Sequence, residues 1–195
     1  MAKAEAEGRI TRVSHDPALQ VETWWDLGVG DATAIWFVQR AGLELHLIDY
    51  YEMSGEGLSH YALVLQTKGY VYSHHVAPHD IEVRELGSGK SRKEQAQALG
   101  LHFTVAPKLP INHGIDATRN LIPKCWFDQD KCRHGIEALK QYRAEYDDRL
   151  RTLRPTPLHD WSSHAADAFR YGAITQVPSQ WDWDKPLAYP DLELA

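Results

Sequence analysis

Residues 21–40 read VETWWDLGVGDATAIWFVQR, and this stretch decides the fold. Residues 21–27 are rich in β-branched and aromatic side chains, which is typical of a strand, and glycines end the run. Residues 32–40 have the same character, so the short GVGD segment between the two strands is expected to be a hairpin turn. Residues 43–53 follow with leucines that alternate on one face, which predicts a third strand. The sheet is therefore expected to begin as a three-stranded antiparallel meander.

The pattern then changes to helices that alternate with strands. Apolar residues at helical spacing predict a helix that begins at Leu58 and is ended by a glycine, and a fourth strand follows over 70–76. Ser91 with Glu94 three residues later is typical of a capping box and predicts the start of another helix. A short fifth strand is expected over 103–105.

Three more helices are expected, over about 112–122, 133–150 and 164–175. Three antiparallel strands followed by two that are reached through helical crossovers predict a mixed five-stranded sheet flanked by helices. Its first three strands would be antiparallel and its last two parallel, which is the ribonuclease H-like order. We expect one such α/β domain over 21–176, with a polar, irregular segment over 1–20 and an extended tail over 177–195.

Length and charge limit the possible functions. The chain has 195 residues, enough for one domain with a sizeable core. No apolar run reaches the roughly 18 residues of a transmembrane helix, so no membrane association is expected. The net charge of −6 divides into −7 over 1–83, +5 over 84–154 and −4 over 155–195. A basic middle between acidic flanks suits a nucleic-acid-binding surface, and it suits ordinary charge scatter on helices equally well.

Three carboxylates are placed so that they can converge. Asp26 lies in an otherwise apolar strand, where a buried carboxylate needs a hydrogen bond, a cation or a metal. Asp80 follows the fourth strand, which is expected to neighbour the first, and Asp167 lies on the last helix beside a face of small residues. Convergent carboxylates are what Mg²⁺ or Mn²⁺ requires, and two such ions would support in-line phosphodiester hydrolysis. These three residues are thus the predicted metal ligands and catalytic residues.

Other polar residues near these positions have two interpretations each. Asp31 is a candidate auxiliary metal ligand, with a role in the hairpin turn as the alternative. His164 precedes Asp167 by one helical turn, where it would orient a ligand or a water, or simply pack with a hydrogen bond. Basic residues follow Asp80, and as phosphate contacts they would position DNA beside the metals, whereas as a solvated face they need no role. They are Arg84, Lys90, Arg92 and Lys93.

Several stretches resemble the C-terminal nuclease domain of the large terminase subunits of tailed bacteriophages. The more specific ones are TWWDLGVGDATAIWF at 23–37, HHVAPHD at 74–80 and HDWSSHAADAFRYGA at 159–173. The resemblance extends over nearly all of the chain up to about residue 175, and its helix at 91–100 is a weak match. It implies a ribonuclease H-like endonuclease, and it places the family's metal triad on the three aspartates at positions 26, 80 and 167.

The resemblance also implies a biological setting. The chain would cleave concatemeric viral double-stranded DNA into genome lengths during packaging, with little sequence preference, in the cytoplasm of the infected bacterial host. Its partners would be the terminase ATPase domain, the small terminase subunit and the portal protein. No GxxxxGK phosphate loop followed by Ser or Thr occurs in the sequence, so no ATPase activity is expected of this chain. Residues 1–20 are interpreted as a remnant of the linker that follows the ATPase domain in that family.

Two alternatives stay open. The first is another ribonuclease H-like nuclease, such as a junction resolvase or a ribonuclease, which would use the same acids on a different nucleic acid. The second is a non-catalytic module of the packaging motor that binds DNA or the portal. A comparison of substrates would separate the first alternative, and metal-dependent cleavage would exclude the second.

Overall fold

A computed structural model describes residues 1–28, 31–84, 89–147, 149 and 151–176 of the chain, so the predicted tail over 177–195 lies outside the described residues. The helices and strands, numbered in chain order, are α1 (Ala2–Ala6), β1 (Ile10–Thr11), β2 (Val21–Asp26), β3 (Ala32–Ala41), β4 (Glu44–Ser54), α2 (Leu58–Lys68), β5 (Tyr72–Ala77), α3 (Arg92–Ala98), β6 (Phe103–Val105), α4 (Ile111–Leu121), β7 (Cys125–Asp128), α5 (Arg133–Gln141), β8 (Ala144–Asp147), β9 (Thr152–Pro157) and α6 (Ser163–Gln176). Short 3-10 turns lie at His79–Glu82 and Ile122–Lys124. None of the helices described is long and apolar enough to cross a bilayer.

The main sheet has seven strands in the order β1-β7-β4-β3-β2-β5-β6. The strands β2, β3 and β4 form the antiparallel meander, while β5 and β6 on one side and β7 and β1 on the other join in parallel. The mixed α/β prediction is confirmed, but the count of five strands is wrong because β1 and β7 extend the sheet. These two strands have only 2 and 4 residues, too few to show an alternating pattern.

The N-terminal residues pack against the sheet. The strand β1 pairs with β7, and Arg9 just before it is buried. The guanidinium of Arg9 donates hydrogen bonds of 2.7 Å to the carbonyl oxygens of Ile122 and Cys125. The irregular course predicted for 1–20 is therefore wrong over α1 and β1, since contacts more than a hundred residues away along the chain order this segment.

The long helix predicted over 133–150 is also wrong. The helix α5 ends at Gln141, and Tyr142 leaves helical geometry with φ −59° and ψ 120°. The following strands β8 and β9 form an antiparallel hairpin, across which Arg154 donates to two carboxylates on β8 at 3.1 and 3.0 Å. Tyr146, within the range predicted as helix, is exposed on β8, whereas Ile136 on α5 is buried. The helical spacing of apolar residues is therefore a correct signal up to Gln141 and a misleading one beyond it.

Two other predicted helix boundaries are confirmed by their caps. Gly69 ends α2 in the left-handed conformation with φ 66°, which a residue with a side chain rarely adopts. Ser91 and Glu94 form the reciprocal capping box at the start of α3. The loop before α6 is closed by Ser163, whose hydroxyl accepts a hydrogen bond from the backbone N–H of Asp160 at 3.0 Å.

Alternate tryptophans of the first strands cover opposite faces of the sheet. Trp24 and Trp36 are buried with residues of α5 and α6, whereas Trp25 is buried with residues of α2 and α3. The helix α6 lies directly on β2, because a Cβ atom at Gly172 would be only 1.9 Å from Cδ2 of Trp24. This contact sets how closely the helix that carries Asp167 approaches the strand that carries Asp26.

Candidate active site

Two of the predicted carboxylates lie at one edge of the sheet. Asp26 is the last residue of β2, and its backbone partner on β3 is Ala34. The strand β5 runs parallel to β2 on the other side, which confirms the predicted adjacency and brings the ends of both strands to the same edge. Asp80 follows β5 by three residues, within the 3-10 turn. The order of the strands therefore places both carboxylates near this edge.

The third carboxylate, Asp167, is supplied by α6, which packs on β2. Its Oδ1 atom accepts hydrogen bonds from Nε of Arg170 at 3.2 Å and from Nη2 at 3.1 Å. The hydroxyl of Tyr142, just after the end of α5, is close enough for the charge of Asp167 to raise its pKa. The guanidinium of Arg170 therefore holds this carboxylate beside the sheet, with Tyr142 nearby.

The three carboxylates influence one another. Burial raises the pKa of Asp26 above its usual value, a hydrogen bond with His164 lowers it, and the negative charges of Asp167 and Asp80 raise it further. Burial also raises the pKa of Tyr171, and the charges of Asp167 and Asp26 add to that shift. Asp26 is thus a poorly solvated carboxylate that faces two others, and a cation placed among them would relieve their repulsion.

His164 lies against Asp26, with Nδ1 3.5 Å from Oδ2. The hydrogen bond to Asp26 raises the pKa of His164, burial opposes that shift, and the charges of Asp26, Glu52 and Asp31 reinforce it. Asp31 itself lies at the exposed rim, where its carboxylate is 3.9 Å from Nε2 of His159. The structure therefore brings His164 next to the strand end and leaves Asp31 further out.

The donor chemistry of the site fits a hard divalent cation. The three side chains offer carboxylate oxygens, which Mg²⁺ and Mn²⁺ prefer, from three different elements. In the described residues, no three side chains of the His, Cys, Asp or Glu type are yet assembled closely enough to hold a metal. The charges of Asp167 and Asp80 nevertheless act on Asp26, so the three carboxylates are within electrostatic reach of one another.

Of the basic residues that follow Asp80, Arg92 contacts the end of β2. It is the first residue of α3, and its Nη1 atom donates a 3.1 Å hydrogen bond to the carbonyl oxygen of Leu27, the neighbour of Asp26. Arg92 also helps to line a cavity of about 450 Å³ that includes Asp31. It therefore places a positive charge near the end of β2, from the face of the sheet that α3 covers.

The other three predicted DNA contacts lie on the adjoining surface. Arg84 and Lys90 are exposed, and Arg84 is 3.9 Å from a carboxylate oxygen of Glu94. Lys93 is 2.7 Å from Glu82. The positive charges of Arg84 and Lys93 are thus shared with acidic neighbours, which reduces the charge they present to a phosphate.

Sequence reasoning missed a fourth carboxylate, Glu52 on β4. Its backbone partner is Ala34, the residue that also pairs with Asp26, so Glu52 and Asp26 project from the same face on either side of a small side chain. Tyr50 donates a short hydrogen bond to Glu52, and Nε2 of His134 lies 3.5 Å from it. A β-bulge between Phe37 and Val38 shifts the pairing of β3 with β4 by one residue, so a register counted from the turn would have placed Tyr51 rather than Glu52 opposite Ala34.

A groove elsewhere on the molecule holds none of these carboxylates. It has a volume of about 800 Å³ and is lined by residues of α2, β5 and β6, among them Tyr72, His75 and Phe103. These residues belong to the core on the face opposite α6. We therefore place the candidate active site at the edge of the sheet that carries Asp26, because the other two predicted carboxylates act on Asp26 there.

The fold of the chain matches solved structures, whereas its sequence matches no protein-family model. No curated protein sequence matches the chain either. Among solved structures, the chain resembles the P22 large terminase nuclease domain, with 18% identity, a TM-score of 0.65 and coverage of 87% of this chain and 88% of that one. It also resembles the nuclease domain of the large terminase from bacteriophage SPP1 with bound Mn, at 17% identity and a TM-score of 0.56, over 78% of this chain and 84% of that one.

A longer relative has a comparable fold over part of its length. The large terminase of a thermophilic bacteriophage matches at 13% identity with a TM-score of 0.67, over 86% of this chain and 42% of that one. The chain thus spans about two fifths of that protein. At these identities the comparison shows the fold, and the chain has the fold of the nuclease domains of phage large terminases, as the sequence resemblance implied.

Proposed function

We propose that the chain is a metal-dependent endonuclease that hydrolyses phosphodiester bonds of double-stranded DNA, with Asp26, Asp80 and Asp167 as the ligands of Mg²⁺ or Mn²⁺. The observation that carries the proposal is the environment of Asp26, a partly buried carboxylate beside His164 at the end of β2, whose pKa is raised by burial and by the charges of the other two. Such an arrangement is costly unless a cation balances it. The fold supports the same conclusion, since a relative with this fold holds Mn.

Each element of the site has a part in the proposed reaction. The strand β2 and helix α6 fix Asp26 and Asp167 on rigid elements, and His164 hydrogen bonds to Asp26 and favours its ionised form. A pair of bound divalent cations would supply Lewis-acid stabilisation of the attacking and leaving oxygens. Arg92, beside the strand end, would contact a phosphate and orient the DNA backbone.

The resemblance in fold to phage large terminases supports a biological setting. We propose that the cleavage separates concatemeric viral DNA into genome lengths during packaging, with little sequence specificity, in the cytoplasm of an infected bacterium. The chain spans 42% of the longer terminase that it resembles, so an ATPase domain, a small terminase subunit and a portal protein are proposed partners. DNA would be delivered to the carboxylates by such a motor.

Cleavage of supercoiled plasmid tests the proposal. The wild-type chain is expected to produce nicked, linear and then smaller products with Mn²⁺ or Mg²⁺ and none with EDTA, and Asp26→Asn and Asp167→Asn are expected to be inactive although folded. Asp116→Asn is the matched control, because Asp116 is an exposed carboxylate on α4 that pairs with Arg119 at 3.5 Å. Cleavage by the two site variants at the wild-type rate, or no cleavage with any metal, would refute the assignment.

The choice of substrate separates the remaining alternatives. Linear duplex DNA, a four-way junction and an RNA–DNA hybrid of equal length should be compared under the same conditions. Preferred cleavage of duplex DNA is expected, whereas strong preference for the junction or the hybrid would redirect the proposal to a resolvase or a ribonuclease. Binding of DNA without cleavage would identify a non-catalytic module.

A further inference from the structure

The side chain of Arg170 is enclosed beneath Asp167. Its Nε and Nη2 atoms both donate to Oδ1 of Asp167, at 3.2 and 3.1 Å, and only 11% of the Arg170 side chain is exposed. Ion pairs three residues apart on exposed helices differ from this one. The pair of Arg119 with Asp116 has side chains that are 74% and 65% exposed, and such pairs contribute little. The Arg170 pair is therefore more than a surface salt bridge.

The fold fixes the path of the Arg170 side chain on two sides. The helix α4 passes over it at Gly114, where a Cβ atom would lie 2.7 Å from both Cγ and Cδ of Arg170. On the other side the guanidinium carbon lies 4.5 Å from the centroid of the Tyr171 ring, in a cation–π contact. The guanidinium consequently has little freedom to move away from Asp167.

Tyr142 lies beside Asp167, directly after the end of α5. Burial raises the pKa of Tyr142, and the nearby charge of Asp167 raises it further, so the hydroxyl stays protonated at neutral pH and is available as a donor. The hydrogen bonds of Arg170 place a positive charge beside Asp167, which opposes the repulsion between Asp167 and Asp26.

We propose that Arg170 is a positioning residue that, with Tyr142 beside the same carboxylate, holds Asp167 in one orientation for a divalent cation. Arg170 engages one carboxylate oxygen, Oδ1, and leaves Oδ2 outside its contact. Groups that hold a metal ligand in this way raise affinity because the ligand does not have to be ordered on binding. The inference rests on the proposed function, in which Asp167 is a metal ligand.

Three substitutions test the inference at different points. Arg170→Lys keeps the charge but removes the two nitrogens that engage Oδ1 together. Gly114→Ala leaves the charge intact and pushes the Arg170 side chain through its Cγ and Cδ atoms. Tyr142→Phe removes only the hydroxyl. Arg119→Gln on α4 is the matched control, since it removes an arginine from an exposed pair of the same spacing.

The first measurement is calorimetric titration of the full chain with Mn²⁺, without DNA. We expect Mn²⁺ to bind about 10–100-fold more weakly to Arg170→Lys, and measurably more weakly to Gly114→Ala and Tyr142→Phe, as for other groups that orient metal ligands. Arg119→Gln should bind as the wild type does. In plasmid cleavage the same variants should need more Mn²⁺ for half-maximal rate, while the KM for DNA stays unchanged.

The outcomes separate this inference from the proposed function. If Asp26→Asn abolishes Mn²⁺ binding but the three variants bind like the wild type, Arg170 has only a structural role and the inference fails while the proposed function stands. If the wild type binds no Mn²⁺, the proposed function fails first. Circular dichroism reports whether each variant is folded, and if Arg170→Lys does not fold, Tyr142→Phe decides, because it changes a single hydroxyl.

Discussion

The imidazole of His164 and the carboxylate of Asp26 face each other at the end of the first long strand, with Nδ1 and Oδ2 3.5 Å apart. The strand and the helix α6 come from opposite ends of the chain, and the contact exists because α6 packs directly on β2. The hydrogen bond lowers the pKa of Asp26 against the effect of burial, and the same bond raises the pKa of His164. Each residue therefore favours the ionised form of the other.

Replacement of His164 should make Asp26 harder to ionise. In His164→Ala the hydrogen bond is lost while burial and the charges of Asp167 and Asp80 remain, so the pKa of Asp26 is expected to rise. Carbon-detected NMR titration of the Asp26 carboxyl in metal-free protein measures this directly, and the acidic limb of the cleavage profile should move to higher pH. His113→Ala, on the exposed side of α4, is the control. An unchanged or lowered pKa would show that His164 does not support this carboxylate.

The site should cost stability in the absence of metal. The pKa of Asp26 is raised in the folded protein, so ionisation of this carboxylate costs more free energy in the folded state than in the unfolded state. Once the pH has risen through the folded pKa, the ionised carboxylate therefore destabilises the fold, and this is its state at neutral pH. Asp26→Asn is therefore expected to raise Tm in EDTA, by about 2–4 °C for each kcal/mol gained in a domain of this size. Scanning calorimetry at pH 7 makes the measurement.

A second carboxylate gives the opposite expectation and serves as the control. Asp49 is buried, but its Oδ2 atom is 2.5 Å from Nζ of Lys68 and accepts a 3.1 Å hydrogen bond from Tyr70. Asp49→Asn should therefore lower Tm. If both substitutions lower Tm by similar amounts, contacts within the fold already stabilise the ionised Asp26, and no cation is needed to offset its charge.

Much of this site was predictable because its strand residues follow local patterns. Consecutive bulky residues such as Trp24 and Trp25 point to opposite faces of a strand, so they indicate a strand that is covered on both faces. An aspartate at position 26 of such a strand is unusual and therefore a candidate functional residue. The small residues around Asp167 likewise predict a helix that can approach a sheet closely. The contact of Gly172 with Trp24 shows this close approach. In both cases the residues that support the prediction lie within a few positions of the aspartate in the sequence.

What the sequence did not reveal depends on contacts between distant segments. Tyr142 was assigned to the middle of a helix, yet the chain turns there and its hydroxyl meets Asp167, 25 residues later. Glu52 joins the site only through the exact pairing of β4 with β3, and the edge strand β1 exists only because β7 is beside it. No periodicity within a single element encodes such relationships.

Stability should also depend on pH through His75, on the face opposite the active site. The indole of Trp25 donates to the hydroxyl of Thr23 at 2.6 Å, and that oxygen lies 2.6 Å from Nδ1 of His75. Burial, together with His74 and His102, lowers the pKa of His75 to about 4. Protonation of His75 would place a positive charge in this buried cluster.

The sign of this effect follows from linkage. The folded pKa lies below the unfolded value, so His75 leaves the fold fully stable above about pH 6.5 and destabilises it as the pH falls towards 4, by up to about 3 kcal/mol. Denaturant midpoints of the wild type should therefore fall over this range more steeply than those of His75→Gln. Equal slopes for the two proteins would show that His75 does not titrate in the folded state as described.

The last prediction couples the packing of α6 to the chemistry. A methyl group at Gly172 would lie 1.9 Å from Cδ2 of Trp24, so Gly172→Ala must move the helix or the indole, at a cost of about 1–3 kcal/mol or more. Because Asp167 is on the same helix, its distance from Asp26 should change, and cleavage should fall further than the loss of folded protein explains. Gly57→Ala is the control, since its nearest atom would be Oγ of Ser59 at 4.0 Å. Calorimetry gives the folded fraction at the assay temperature, and cleavage per folded molecule at the wild-type rate would show that the α6–β2 contact does not control the geometry of the site.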